Sequence, residues 1–224
     1  MREPKTKKIE VMESVYGKNE KLAAEFNRHL SERNIFCVNI MGAPGAGKTS
    51  LLIKIIEKLN SSVYVIEGDI ESDIDTQKLK TLGIKTVQIN TGGACHLDAP
   101  VVADAFAESN FNNGFLFIEN IGNLVCPAEF MIGEHIKMLL CSATDGSDKP
   151  YKYPLAFEKA GVILLNKCDL LDYTDFDREF FISGVKKLNP DAPVFQVSGK
   201  TGQGIGEAAE WLNNRAKSVI NTIK

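Results

Sequence analysis

The chain has 224 residues, 44% hydrophobic and 25% charged, which suits one large folded domain and excludes disordered, collagenous or coiled-coil chains. Lys and Arg number 26 against 29 Asp and Glu, a net charge of -3 that argues against broad capture of nucleic acid. No apolar run reaches the roughly 18 residues of a bilayer span, and the opening MREPKTKKIEVMES lacks a secretory core, so a cytoplasmic protein without membrane contact is expected.

Residues 1 to 12 read as a loose charged arm. From about 13 to 33, Val15, Leu22, Ala23, Phe26 and Leu30 recur at helical spacing and predict an amphipathic helix. Ile35 to Met41 is mostly apolar and bounded by Gly42, the pattern of a strand buried on both faces of a parallel sheet. Further strands are expected at Val63–Ile66, Thr86–Ile89, Phe115–Ile118, Met138–Leu140, Val162–Leu165 and Val194–Val197. Helical patterning separates most of them, at Ser50–Leu59, Asp75–Thr81, Val101–Ser109, Phe176–Leu188 and Ile205–Ile220. Such alternation predicts an α/β protein with a doubly wound, mostly parallel sheet. The chain divides into an N-terminal arm and helix, 1–33, and a domain over 34–224. The interval Ser142 to Pro154, rich in Asp, Gly, Lys and Pro, reads as a long loop of the kind that serves as a lid.

Directly after the first strand stands Gly42-Ala43-Pro44-Gly45-Ala46-Gly47-Lys48-Thr49, followed by Ser50. This is a complete phosphate-loop motif in the strand-to-helix context it requires, and it predicts the P-loop NTPase fold. Its glycines let backbone N–H groups face phosphates, and the helix adds its positive dipole end. Lys48 is expected to reach the β- and γ-phosphates and Thr49 to ligate Mg²⁺. The base is read from Asn166-Lys167-Cys168-Asp169 at the carboxyl end of a strand. A carboxylate at Asp169 accepts from the N1–H and exocyclic amine of guanine, whereas adenine would leave it unpaired. Asn166 is placed at the Hoogsteen edge and the Lys167 stem along the ring. Ser198-Gly199-Lys200 follows the next apolar run, where GTPases give a backbone N–H to guanine O6. GTP is therefore the expected nucleotide.

Among the acidic residues near the phosphates, Asp69, Asp75 and Glu119, Asp75 is taken as a Mg²⁺ ligand, although it also suits a helix N-cap. Glu119 is taken as a Mg²⁺-shell or water-positioning group. No glutamine stands in the water-orienting place and no arginine finger is evident, so slow unassisted hydrolysis is expected.

Five Cys, odd in number and irregular in spacing, do not suggest a disulfide framework. Cys37, Cys141 and Cys168 read as packing or incidental. Cys95, His96 and Cys126 form a thiolate and imidazole set that suits Ni²⁺ or Zn²⁺ better than Mg²⁺. Neighbours such as Cys95 and His96 rarely aim at one ion, which hints at ions shared between two subunits. On these residues alone, a soft-metal site and simple packing both stay open.

Together, Gly42 to Thr49, the run Glu119-Asn120-Ile121-Gly122-Asn123-Leu124-Val125-Cys126-Pro127, the pair Cys95-His96 and Asn166 to Asp169 closely resemble the HypB-type GTPases of [NiFe]-hydrogenase maturation. The resemblance spans about residues 13 to 220. It implies a homodimer formed in a GTP-dependent way, with nickel or zinc at Cys95, His96 and Cys126. It also implies hydrogenase maturation proteins and the hydrogenase large subunit as partners. Residues 1 to 36 hold no Cys and only His29, so the tight nickel-binding or storage motifs of some members have no counterpart there. The urease-type nickel GTPase typically carries a Cys-Pro-His triplet, but here Ala128 follows Cys126-Pro127, which favours the hydrogenase branch. A different class also fits the residues, a GTP-controlled assembly module whose zinc only cements a dimer.

Overall fold

A computed structural model describes the backbone of residues 7–69 and 74–222 and the side chains of 17–68 and 76–220. The helices are α1 (Lys7–Glu32), α2 (Lys48–Ile56), α3 (Ile74–Thr81), α4 (Ala99–Ala107), α5 (Cys126–Glu129), α6 (Lys149–Lys152), α7 (Pro154–Glu158), α8 (Arg178–Leu188) and α9 (Ile205–Thr222). The strands are β1 (Ile35–Gly42), β2 (Val63–Asp69), β3 (Lys85–Asn90), β4 (Gly114–Glu119), β5 (Ile136–Ser142), β6 (Val162–Asn166) and β7 (Val194–Gln196). They form one seven-stranded sheet in the order β3-β2-β4-β1-β5-β6-β7, and every pairing is parallel. No described helix is long and apolar enough to cross a membrane.

All eight residues of β1 are buried, because strands on both sides and helices on both faces enclose it. Its alternating side chains feed separate cores. Phe36, Val38 and Ile40 join Leu51, Leu52, Ile55 and Leu212 beneath α2 and α9. On the other face, Ile35 and Cys37 pack with Phe26, Leu30 and Phe106 of α1 and α4, while Met41 packs with Phe157 and Phe181 of α7 and α8. Between those two clusters lies one polar residue of the same face, the fully buried Asn39.

Cys37, Cys141 and Cys168 are buried, as packing residues should be. Two expectations change. The first helix begins at Lys7, so half of the expected loose arm is helical. The expected lid is instead packed: Ala143 and Pro150 are buried, and the interval holds α6 and runs into α7. Pro150 and Pro154 stand in the first turns of those helices, where proline's missing N–H costs no hydrogen bond.

In the sheet β1 lies between β4 and β5: the connection from β1 to β2 runs toward the β3 edge, and the one from β4 to β5 crosses β1 toward the β7 edge. The crevice outside the carboxyl ends of strands at such a switch point is where α/β sheets bind ligands.

Candidate nucleotide and metal site

The phosphate loop turns out of β1 at that switch point. Gly47, at φ 90°, sits in the left-handed region just before α2, and a Cβ there would come within 2.7 Å of the Asn166 amide. Only glycine meets both demands. No side chain caps α2, so the positive end of its dipole faces the loop. Lys48 Nζ lies 3.4 Å from the Gly42 carbonyl and 3.5 Å from that of Ala43, folded back over the loop where a phosphate oxygen would compete for it.

Beside the loop is a cavity of about 320 Å³ lined by Gly47, Ser50, Asn166, Lys167, Asp169, Leu170, Ser198, Gly199 and Lys200. Eight of these nine residues are ones the sequence singles out; Leu170 is the addition. Asn166 braces the cavity: its amide donates to the Ala46 carbonyl at 2.8 Å and its Oδ1 accepts from Gly199 N–H at 3.1 Å. Both ends of the amide expected at the Hoogsteen edge are thus engaged in bracing the loops. Lys167, at φ 57°, donates to the Gly45 carbonyl at 2.8 Å. Ser198 Oγ accepts from the N–H groups of Lys200 and Thr201 and shapes the last loop. Asp169 Oδ1 is buried with no hydrogen-bond partner. A buried carboxylate oxygen wants a donor, and guanine's N1–H and amine supply donors.

Thr49 of α2 and Glu119 at the end of β4 meet: Thr49 Oγ1 donates to Glu119 Oε1 at 2.9 Å, both residues being buried. Glu67 of β2 lies in register with Glu119 of β4 and is also buried; its carboxylate accepts from Thr76 Oγ1. A hydroxyl with two neighbouring carboxylates is an all-oxygen set of the kind Mg²⁺ takes. Glu67 escaped the sequence reading, which ended that strand at Ile66. The same pattern, an apolar strand closing on a glutamate, marks Glu119. The side chains of Asp69 and Asp75 lie outside the described residues.

Cys95, His96 and Cys126 come together. Their ligand atoms all lie within 4.8 Å of one another, with Cys95 Sγ 3.2 Å from Cys126 Sγ and 3.3 Å from His96 Nδ1. Zn–S and Zn–N bonds of about 2.3 and 2.0 Å bring such atoms to one ion. Adjacent in sequence, Cys95 and His96 nevertheless bring their ligand atoms together. Gly92 and Gly93, at φ 57° and 90°, let the chain turn tightly before the pair. Phe130 stacks on the His96 ring at 4.1 Å and fixes its direction. Burial holds His96 below the usual imidazole range, against the opposing pull of Asp98 and Glu129, which favours the neutral, ligating form. The Cys95 thiol is pushed up, chiefly by its contact with Cys126. A bound cation reverses that penalty.

Asn123 connects this cluster to the phosphate loop. Its backbone bridges to Gly42, while its side chain donates to the Cys95 carbonyl at 3.1 Å and accepts from Val125 N–H at 2.9 Å. Next to it, a Cβ on Gly122 would stand 2.9 Å from Pro44. The loop leading to Cys126 therefore leans directly on the phosphate loop.

Residues 36–196 match the family described as CobW/HypB/UreG, nucleotide-binding domain. The hydrogenase maturation factor HypB of Azotobacter chroococcum mcd 1 is 43% identical over 210 residues, covering 92% of this chain and 69% of that one. The chain belongs to the HypB family. Among solved HypB structures, that from Helicobacter pylori in complex with nickel superposes with a TM-score of 0.87 at 31% identity, over 91% of this chain and 97% of that one. HypB from Archaeoglobus fulgidus gives a TM-score of 0.82 at 34% identity, over 89% and 99%. The seven-stranded parallel sheet with its phosphate loop is the P-loop GTPase fold of HypB.

Proposed function

We propose that this HypB-family chain is a GTP-hydrolysing metallochaperone that binds nickel or zinc and assists nickel insertion during [NiFe]-hydrogenase maturation. One observation carries the reading: the Cys95, His96 and Cys126 ligand atoms converge on a loop that Asn123 ties to Gly42. The metal is cargo. Three ligands leave a coordination position open, through which an ion could pass to an acceptor or be shared with a second copy of the chain.

GTP seats its guanine against Asp169, between Lys167 and the Ser198 to Lys200 turn. Its phosphates lie in the Gly42 to Ser50 loop, where Gly45, Ala46 and Gly47 offer backbone N–H groups and Lys48 neutralises charge. Thr49 and Asp75 would hold Mg²⁺, with Glu119 in its shell or positioning the attacking water and Glu67 beside it; that ion would supply charge neutralisation at the transferring phosphoryl group. Triphosphate contacts order Glu119 to Gly122 and draw Cys126 into place, and this favours a homodimer; hydrolysis relaxes the segment and loosens the ion. The hydrogenase large subunit and other maturation proteins are the partners of that released state.

The test is GTP turnover and nickel binding on one preparation, with nickel measured by competition against a chromophoric chelator. Wild type should hydrolyse GTP and bind nickel, and Cys126→Ala should keep turnover while losing nickel. Equal nickel binding by the two proteins would overturn the reading.

A further inference from the structure

Beneath the metal cluster, four polar side chains lie in what is otherwise apolar core: Asn39, Asn120, Glu134 and Lys137, with 0%, 1%, 3% and 4% of their surface exposed. None of them is a metal or nucleotide ligand in the function proposed above. Asn39 of β1 stands opposite Lys137 of β5 in register.

The four form one connected chain. Asn120 Nδ2 donates to Asn39 Oδ1 at 3.2 Å, and Asn39 Nδ2 donates to Glu134 Oε1 at 3.2 Å. Lys137 Nζ pairs with that same oxygen at 2.6 Å. It also donates to the carbonyls of Pro127 at 2.9 Å and Phe130 at 2.6 Å, which occupies all three ammonium protons. Glu134 Oε2 accepts from Ile132 N–H at 2.7 Å. At the far end, Asn120 Oδ1 accepts from Leu97 N–H at 3.2 Å and from Ile121 N–H at 3.0 Å.

The ends of this chain are the informative part. One grips Leu97, the residue after Cys95-His96, and the other grips the Pro127 carbonyl within, and the Phe130 carbonyl just past, the short helix that Cys126 opens. A buried ion pair is a costly way to stabilise a sheet, and an apolar pair would do at least as well. A satisfied network of this kind instead fixes geometry. We propose that Asn120, Asn39, Glu134 and Lys137 are positioning residues that set the spacing between the Cys95-His96 pair and Cys126. This rests on the metal-site reading above.

Lys137→Met tests it. It removes the grip on Pro127 and Phe130 while leaving every nucleotide contact in place. Nickel affinity, read by chelator competition and by the thiolate-to-nickel charge-transfer band, should fall about tenfold or more, the usual scale for groups behind metal ligands. GDP affinity should stay at the wild-type value. Glu134→Gln combined with Lys137→Met removes both charges, which avoids an orphaned carboxylate should the single variant fail to fold. It should restore folding and keep the nickel defect. If neither folds, Asn39→Ser cuts the chain at its middle with the ion pair intact, and the same nickel defect is expected. Wild-type nickel affinity and an unshifted band in the folded variant, whatever its melting temperature, would make the network merely structural and overturn the proposal. If Cys126→Ala also matched wild type, the metal-site reading itself would be at fault.

Discussion

Asn123 bridges through its backbone to Gly42, the first residue of the phosphate loop. Its side-chain amide holds the Cys95 carbonyl. A residue that touches both sites lets a change at one alter the other without a long path. The further contact of Gly122 with Pro44 leaves that loop little room to shift independently of a bound nucleotide.

Guanine selectivity should depend on Asp169. Asp169→Ala is expected to weaken GTP binding by about 2–3 kcal/mol, a factor of roughly 10², with little effect on the residual affinity for ATP. Competition between the two nucleotides for the wild type and the variant checks this. Equal binding of ATP and GTP by the wild type would remove the argument.

Lys48→Ala should abolish tight triphosphate binding while the fold persists, because its ammonium reaches the loop carbonyls of Gly42 and Ala43 at 3.4 and 3.5 Å and lies outside the apolar core. Circular dichroism and nucleotide titration separate the two effects. A joint collapse would make the residue structural.

Glu119→Gln keeps the shape that accepts from Thr49 but removes the charge. Turnover should fall by about tenfold or more, and the Mg²⁺ concentration for half-maximal rate should rise. An unchanged rate at every Mg²⁺ concentration would exclude Glu119 from the reaction.

A pH effect on stability follows from His135, which belongs to neither ligand set. Its Nδ1 accepts from Cys37 N–H at 2.9 Å, so its proton sits on Nε2, facing Ser31 Oγ at 2.9 Å. Burial lowers its pKa to about 4, partly opposed by Glu134. The unfolded chain protonates this ring near pH 6.5 and the folded chain does not, so the stability it supports is complete above about 6.5. It is lost as pH falls toward 4, by at most about 3 kcal/mol. Urea midpoints between pH 7.5 and 4.5 should drop less for His135→Gln than for wild type. Parallel curves would refute the assignment.

The phosphate loop is legible in the sequence because its backbone demands admit few residue types, and the loops that line the cavity beside it are legible because they follow apolar strands. The metal trio is legible because thiols and imidazoles are scarce in the chain. Lys137 and Glu134 are not, since their meaning comes from Asn39 across the sheet; a lone lysine in Ile136–Ser142 signals only that a buried charge needs a partner. Helices α5 to α7, of four or five residues each, are too short to show a helical period. The expected lid therefore looked like a loop.

The central claim is that the nucleotide and the metal share one conformational change. By linkage, the state that GTP favours must be the state that holds metal more tightly, with a coupling of about 1–3 kcal/mol. The most direct measurement is nickel affinity, with dimerisation followed by light scattering, in GDP and in a non-hydrolysable GTP analogue. Nickel affinity about 5–150-fold higher with the analogue, together with a tighter dimer and loss of both differences in Cys126→Ala, is predicted. Identical nickel affinities and identical dimer constants in the two nucleotides would contradict the account.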